Sequence, residues 1–204
     1  MDSCVTVLAK DTAVEDSRAR SGSGFVFFDD ETYYYAITNN HVVGESAAEE
    51  ALAYRMRDYK GNIYDAELVT GHADYDLAVI KFEKKEDCAL DLLPIATEDP
   101  AEGEEIAVVG QPEGQINAVT FGEVKGYGKA TLKDTPVTLS NVTFETIVHG
   151  ALTKNGSSGS PVFNYAAEVV AVHYAGRRKE TGEFVKGYAI PAEKVWEFLN
   201  EYFY

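Results

Sequence analysis

The chain has 204 residues and a formal charge of −16, with 34 acidic against 18 basic side chains. That balance argues against nucleic acid or an anionic membrane as the partner, since both are held by positive charge. No apolar run approaches the ~20 residues a bilayer crossing needs. At this length about 70% of the unfolded surface can be buried, enough for one larger domain or two packed halves, and 13 tyrosines with 10 phenylalanines suit a β-rich core.

Met1-Asp2-Ser3-Cys4 lacks the basic start and apolar stretch of a leader; because the chain opens almost directly into its first strand, an export signal or anchor is expected to lie outside this sequence. Val5-Thr6-Val7-Leu8 reads as a strand, and the polar stretch 11–20 as a loop. Phe25-Val26-Phe27-Phe28 and Tyr33-Tyr34-Tyr35-Ala36-Ile37 flank the acidic turn Asp29-Asp30-Glu31, a hairpin signature that leaves His41 just past its second strand. The Ala- and Glu-rich stretch 44–53 allows a short helix. A second hairpin is expected around Tyr59-Lys60-Gly61-Asn62, followed by a buried strand from Leu77 to Phe82 with Asp76 at its entrance.

The charged run Glu83-Lys84-Lys85-Glu86-Asp87 reads as a solvated loop, and the connection between two halves is placed near residue 98. Strands are then expected over 105–110, 119–124, 136–141, 142–148, 162–163, 168–174 and 184–190. Many short strands with glycine-rich turns and no βαβ rhythm argue for antiparallel barrels. Pro191 suits the first turn of a terminal helix, whose Val195, Leu199 and Phe203 fall on one face expected to pack on the second barrel. The sequence then stops, leaving no stretch within it for an appended peptide-binding domain.

Two cysteines, Cys4 and Cys88, are too few for a disulfide framework. They form either one bridge closing a long loop or two buried thiols. Neither sits in a sharp turn that would expose a nucleophile. Asn155-Gly156-Ser157-Ser158-Gly159-Ser160-Pro161 is such a turn. It exposes a hydroxyl, and the amides of Gly156 and Ser158 can point the same way, making two donors where a carbonyl oxygen becomes an oxyanion. His41 and Asp76 precede it, and His, Asp, Ser is a chain order in which base, orienting carboxylate and nucleophile recur. An α/β-hydrolase would need Ser, Asp, His. His72 is a rival base in a polar loop, Asp74 reads as a solvated neighbour of Asp76, and His149 has no motif of its own. The acidic loops lack ordered calcium-ligand spacing. Asn141-Val142-Thr143 and Asn155-Gly156-Ser157 match the glycosylation pattern, although a glycan on Asn155 would block the oxyanion pocket.

Thr38-Asn39-Asn40-His41-Val42-Val43, Asp76-Leu77-Ala78-Val79-Ile80-Lys81 and Gly156-Ser157-Ser158-Gly159-Ser160-Pro161 resemble the three motifs of bacterial trypsin-like serine proteases. Two branches are close, the glutamyl endopeptidases and the Deg-type stress proteases, and the likeness runs from about Val5 to about Phe203. Ser157 departs from the Asn or Asp common in these families. The resemblance implies an all-β fold of two packed six-stranded antiparallel barrels with a C-terminal helix. Residues 1–97 would carry His41 and Asp76, and residues 98–204 would carry Ser158.

It also implies a secreted or cell-envelope serine endopeptidase acting on proteins or peptides, with no metal or organic cofactor. In this reading Ser158 attacks, His41 moves the proton, Asp76 orients His41, and Gly156 with Ser158 forms the oxyanion hole. In glutamyl endopeptidases a threonine five residues before the nucleophile and a histidine fifteen after it line the specificity pocket, which here are Thr153 and His173. Cleavage after Glu follows, with Lys154, Arg177 and Arg178 as nearby cations. The Deg-type resemblance implies instead a pocket for small aliphatic side chains and a regulated oxyanion loop. A catalytically silent peptide-binding form of the same fold is the third alternative.

Overall fold

The computed structural model describes residues 2–11, 20–44, 52–85, 88–130 and 140–204. In the first barrel β1 (Cys4–Asp11), β2 (Arg20–Asp29), β3 (Tyr33–Thr38), β4 (Leu52–Arg57), β5 (Ile63–His72) and β6 (Leu77–Glu83) close in the order β1-β2-β3-β6-β5-β4. In the second, β7 (Glu105–Gly110), β8 (Ala118–Gly128), β9 (Thr146–His149), β10 (Pro161–Phe163), β11 (Val169–Arg178) and β12 (Phe184–Pro191) close in the order β10-β11-β12-β9-β8-β7. The two six-stranded antiparallel barrels are those expected from the sequence. The strand expected over 142–148 begins only at Thr146, and the one over 168–174 continues to Arg178. The stretches 11–20, 44–53 and 136–141 lie largely outside the described residues.

Among the described residues, buried apolar side chains divide into three clusters. One fills the first barrel around Val7, Met56 and Ile80, and one fills the second around Ile106, Ile147 and Val162. The third lies between the barrels and joins Phe25, Ile37, Leu77 and Val79 of the first to Val109, Phe163, Val172 and Ile190 of the second. Strand β11 shows why its seven residues from Val169 to Ala175 are all buried. Val170 and Ala171 belong to the barrel interior, while Val169, Val172 and Tyr174 face the interbarrel cluster. A strand covered on both faces loses the polar alternation of a half-exposed one.

The terminal helix α2 (Ala192–Tyr202) follows β12 directly, with Pro191 as its N-cap rather than inside its first turn. Val195, Phe198 and Leu199 enter the interbarrel cluster. Phe203 lies edge-on to Phe27 at 5.3 Å and to Tyr35 at 5.4 Å, both on the first barrel. The helix therefore straddles the two barrels instead of packing on the second alone. The indole of Trp196 also donates to the Ala96 carbonyl in the connection between them, at 2.9 Å.

Cys4 and Cys88 are free and buried, which leaves the two-thiol alternative. Cys4 packs between the barrels, whereas Cys88 lies in the first barrel. Burial pushes both thiols upward, Cys4 to about 12, so neither is a thiolate at neutral pH.

The thiol of Cys88 donates to Asp58 Oδ2 at 3.0 Å, and Asp58 organises the β4–β5 turn. One carboxylate oxygen accepts the amides of Lys60 and Asn62 at 2.9 and 2.8 Å; the other also accepts Asn62 Nδ2 and the Tyr64 hydroxyl at 2.8 and 2.9 Å. Burial pushes this carboxyl upward, but the donors outweigh it and hold it below the usual carboxylate range. Asp58→Ala strands these donors and is expected to cost about 3 kcal/mol in urea unfolding. Because the folded-state value is depressed, this stabilisation is present above the unfolded carboxylate's ~3.9. It is lost as pH falls through the folded value. A variant with the parent's midpoint at neutral pH would contradict that role.

Candidate active site

Strand β3 ends at Thr38, and a single helical turn, α1 (Asn40–Val43), carries His41 beside the entrance of β6. Asp76 stands at that entrance with φ of 50°, a left-handed conformation that Asp tolerates better than most residues. Its amide donates to the Ala73 carbonyl at 3.1 Å. The turn buries its carboxylate completely and aims it at His41: Oδ1 accepts the His41 backbone amide at 2.9 Å, and Oδ2 lies 2.8 Å from His41 Nδ1. Asn39 Nδ2 donates to the Asp76 carbonyl at 2.9 Å, so the turn is held from both ends. An imidazole whose Nδ1–H is held by a carboxylate keeps Nε2 free as an acceptor. Asp74 is exposed. His72 stacks on Tyr202 with 4.6 Å between ring centroids.

The loop before β10 places Ser158 at the junction of the barrels, its carbonyl accepting the amide of Ser23 in β2 at 2.7 Å. The Asn155 carbonyl accepts the Glu113 amide at 2.8 Å, from the 3-10 turn Pro112–Gly114 after β7. Carbonyl and amide of one peptide point in opposite directions, so this bond turns the Gly156 N–H the other way. The Ser157 carbonyl is likewise taken by the Ser160 amide at 3.0 Å, which turns the Ser158 N–H outward. Among the described residues neither amide donates to another backbone group. Gly156 has φ of 93°, and a Cβ there would lie 2.7 Å from the Gln111 carbonyl oxygen, so the turn needs glycine. Ser157 is buried, and its hydroxyl accepts the Lys154 amide at 3.2 Å, a loop-closing role that explains a short polar side chain here.

His173 is tied to the same loop by two backbone bonds: its carbonyl accepts from Gly159 at 2.8 Å, and its amide donates to Ser160 at 2.9 Å. The ring is buried, with Nδ1 3.1 Å from Nε2 of His149. Burial first, then the neighbouring His149 and His41, hold His173 well below the usual imidazole range, and burial pushes His149 down to about 4. Both rings are neutral at physiological pH. Thr153 is buried against Gly176, where a Cβ would meet its hydroxyl at 3.4 Å.

His149, which no sequence motif announced, lies against His173. Its partner is created by strand pairing, since β9 lies against β12 with His149 opposite Gly187. A Cβ on Gly187 would lie 2.2 Å from the His149 ring. The expected nearby cations Lys154 and Arg178 are already engaged. Lys154 pairs with Glu113 at 2.8 Å, and Arg178 donates to the carbonyls of Thr153 and Gly182.

Residues 22–172 match the family model described as the trypsin-like peptidase domain, and the chain belongs to that family. It is 31% identical over 183 residues to a serine protease HTRA1 of Xenopus tropicalis, covering 90% of this chain and 36% of that protein. It is 30% identical over 185 residues to a probable periplasmic serine endoprotease, DegP-like, of Pseudomonas putida (strain GB-1), covering 88% of this chain and 34% of that one. The chain thus spans little more than a third of either relative. Among solved structures, the active form of the Rv3671c protease from M. tuberculosis superposes with a TM-score of 0.78 at 20% identity, over 99% of this chain and 81% of that one. At that identity the likeness concerns the fold.

Proposed function

We propose that this chain is a serine endopeptidase in which Ser158 attacks a peptide carbonyl. The observation that carries this reading is the two-point grip of Asp76 on His41, taken together with two outward-facing amides at Gly156 and Ser158. His41 Nε2 takes the Ser158 proton as the Oγ–C bond forms. The carbonyl oxygen becomes an oxyanion between the two amides, each worth roughly 3 kcal/mol in such a site. His41 then gives its proton to the leaving amine, and water releases the acyl group by the same steps reversed. The substrate is a protein or peptide. The periplasmic designation of the Pseudomonas relative supports a cell-envelope or secreted location.

For specificity, the observation that favours cleavage after Glu is the His173–His149 pair beside the nucleophile loop. A neutral imidazole backed by a second ring can take up a proton when a carboxylate enters. The second reading, a pocket for small aliphatic residues, draws on the deep burial of His173 and on the Deg-type names among the relatives. A peptide-library digest with mass-spectrometric readout of the cut bonds separates the two readings, and a preference for bonds after Val or Ile would overturn the Glu assignment.

If Glu is correct, binding raises the His173 value and couples to proton uptake. The kcat/KM ratio of Glu over Gln substrates should then rise as pH falls from about 8 to about 6, by up to about tenfold per unit. His173→Ala should flatten the dependence and reduce cleavage after Glu far more than after Gln or Ala.

A further inference from the structure

Ser23 lies in β2 of the first barrel, yet two of its hydrogen bonds reach the nucleophile loop of the second. The residue is 1% exposed. The hydroxyl donates to the Gly156 carbonyl at 2.7 Å and accepts the Gln111 amide at 2.8 Å. The backbone amide donates to the Ser158 carbonyl at 2.7 Å, and the carbonyl accepts the Thr38 hydroxyl at 2.8 Å. Donor and acceptor capacity of the hydroxyl are thereby both engaged.

We propose that Ser23 is a positioning residue for the oxyanion hole, its hydroxyl a latch that holds the Gly156 carbonyl inward so that the neighbouring amides face a substrate. The proposal rests on the endopeptidase reading. The peptide joining Gly156 to Ser157 lies between the two peptides whose N–H groups serve as donors. With the Gly156 carbonyl held by Ser23 and the Ser157 amide donating to the Lys154 carbonyl at 3.0 Å, this peptide is held at both ends, between neighbours held by the Glu113 and Ser160 amides. Without the hydroxyl, the peptide after Gly156, whose lack of Cβ makes rotation easy, loses one of the two bonds that oppose a flip. The Gln111 amide, one residue before the turn that grips Asn155, loses its acceptor at the same time. The latch thus joins both barrels at the loop.

Ser23→Ala is expected to lower kcat about 10- to 100-fold while KM stays within about twofold. Affinity for a peptidyl boronate, whose tetrahedral adduct on Ser158 sets an oxygen between the two amides, should fall in step with kcat/KM. A structural role alone would instead lower the folded fraction and leave the kinetics of the folded protein unchanged, so rates are normalised to folded protein by unfolding curves taken on the same samples. Should Ser23→Ala not accumulate, Ser23→Cys, which keeps a weaker donor, should show the same split to a smaller degree. The parent must first cleave peptide and take a fluorophosphonate on Ser158; failure there overturns the endopeptidase reading itself. A competent parent with a Ser23 variant equal to it in kcat and boronate affinity overturns the latch alone.

Discussion

Ser158→Ala should lose on the order of 10⁶ in kcat while unfolding at nearly the same urea concentration as the parent. The hydroxyl makes no hydrogen bond to another described group, and the residue is only partly buried, so its removal should cost less than about 0.5 kcal/mol. The backbone around it is untouched: the Ser158 carbonyl still accepts from Ser23, and the amides at 156 and 158 stay in place. What remains is binding and oxyanion stabilisation without a nucleophile, a residual acceleration of about 10³ to 10⁴ over water. Fluorophosphonate labelling should vanish with the activity. Comparable peptidase activity in variant and parent would remove Ser158 from the mechanism.

Asp76→Asn should lower kcat by about 10⁴, and here stability should fall with it. The carboxylate holds His41 twice, through its amide and through Nδ1. A carboxamide has one acceptor oxygen, so whichever way it turns, its NH₂ faces either the His41 amide or the Nδ1–H that the carboxylate had accepted. The imidazole is left in the wrong tautomer or the backbone amide is left unpaired in a partly buried place, at a cost of about 1–3 kcal/mol. Asp74→Asn, on an exposed residue, is the control and should change little. A large loss from Asp74→Asn with none from Asp76→Asn would reverse the assignment.

The pairing of His41 with Asp76 was legible because each residue stands at the end of an apolar run, and such runs become buried strands whose ends are adjacent in a barrel. Strand boundaries were less legible where one strand serves two cores. Residues 169–175 have no alternation to read, because both faces are covered. The terminal helix shows the same limit: the spacing of Val195 and Leu199 defines its buried face, but not that the face meets both barrels. That Phe203 meets Phe27 of β2 and Tyr35 of β3 is a contact between residues more than 160 positions apart, which no local pattern announces.

Local chemistry along the chain thus determined the strands, the terminal helix, the sharp Gly/Ser turn and the order of His41, Asp76 and Ser158. Each follows from side-chain periodicity or backbone freedom within a few residues. The tertiary structure alone decided that Cys4 and Cys88 stay apart in separate clusters and that the helix straddles the barrels. It likewise decided that His149 meets His173 and that Ser23 reaches across the barrels to Gly156. Those partners are 24 and 133 positions apart, and their contact depends on barrel closure and docking, which local sequence does not encode.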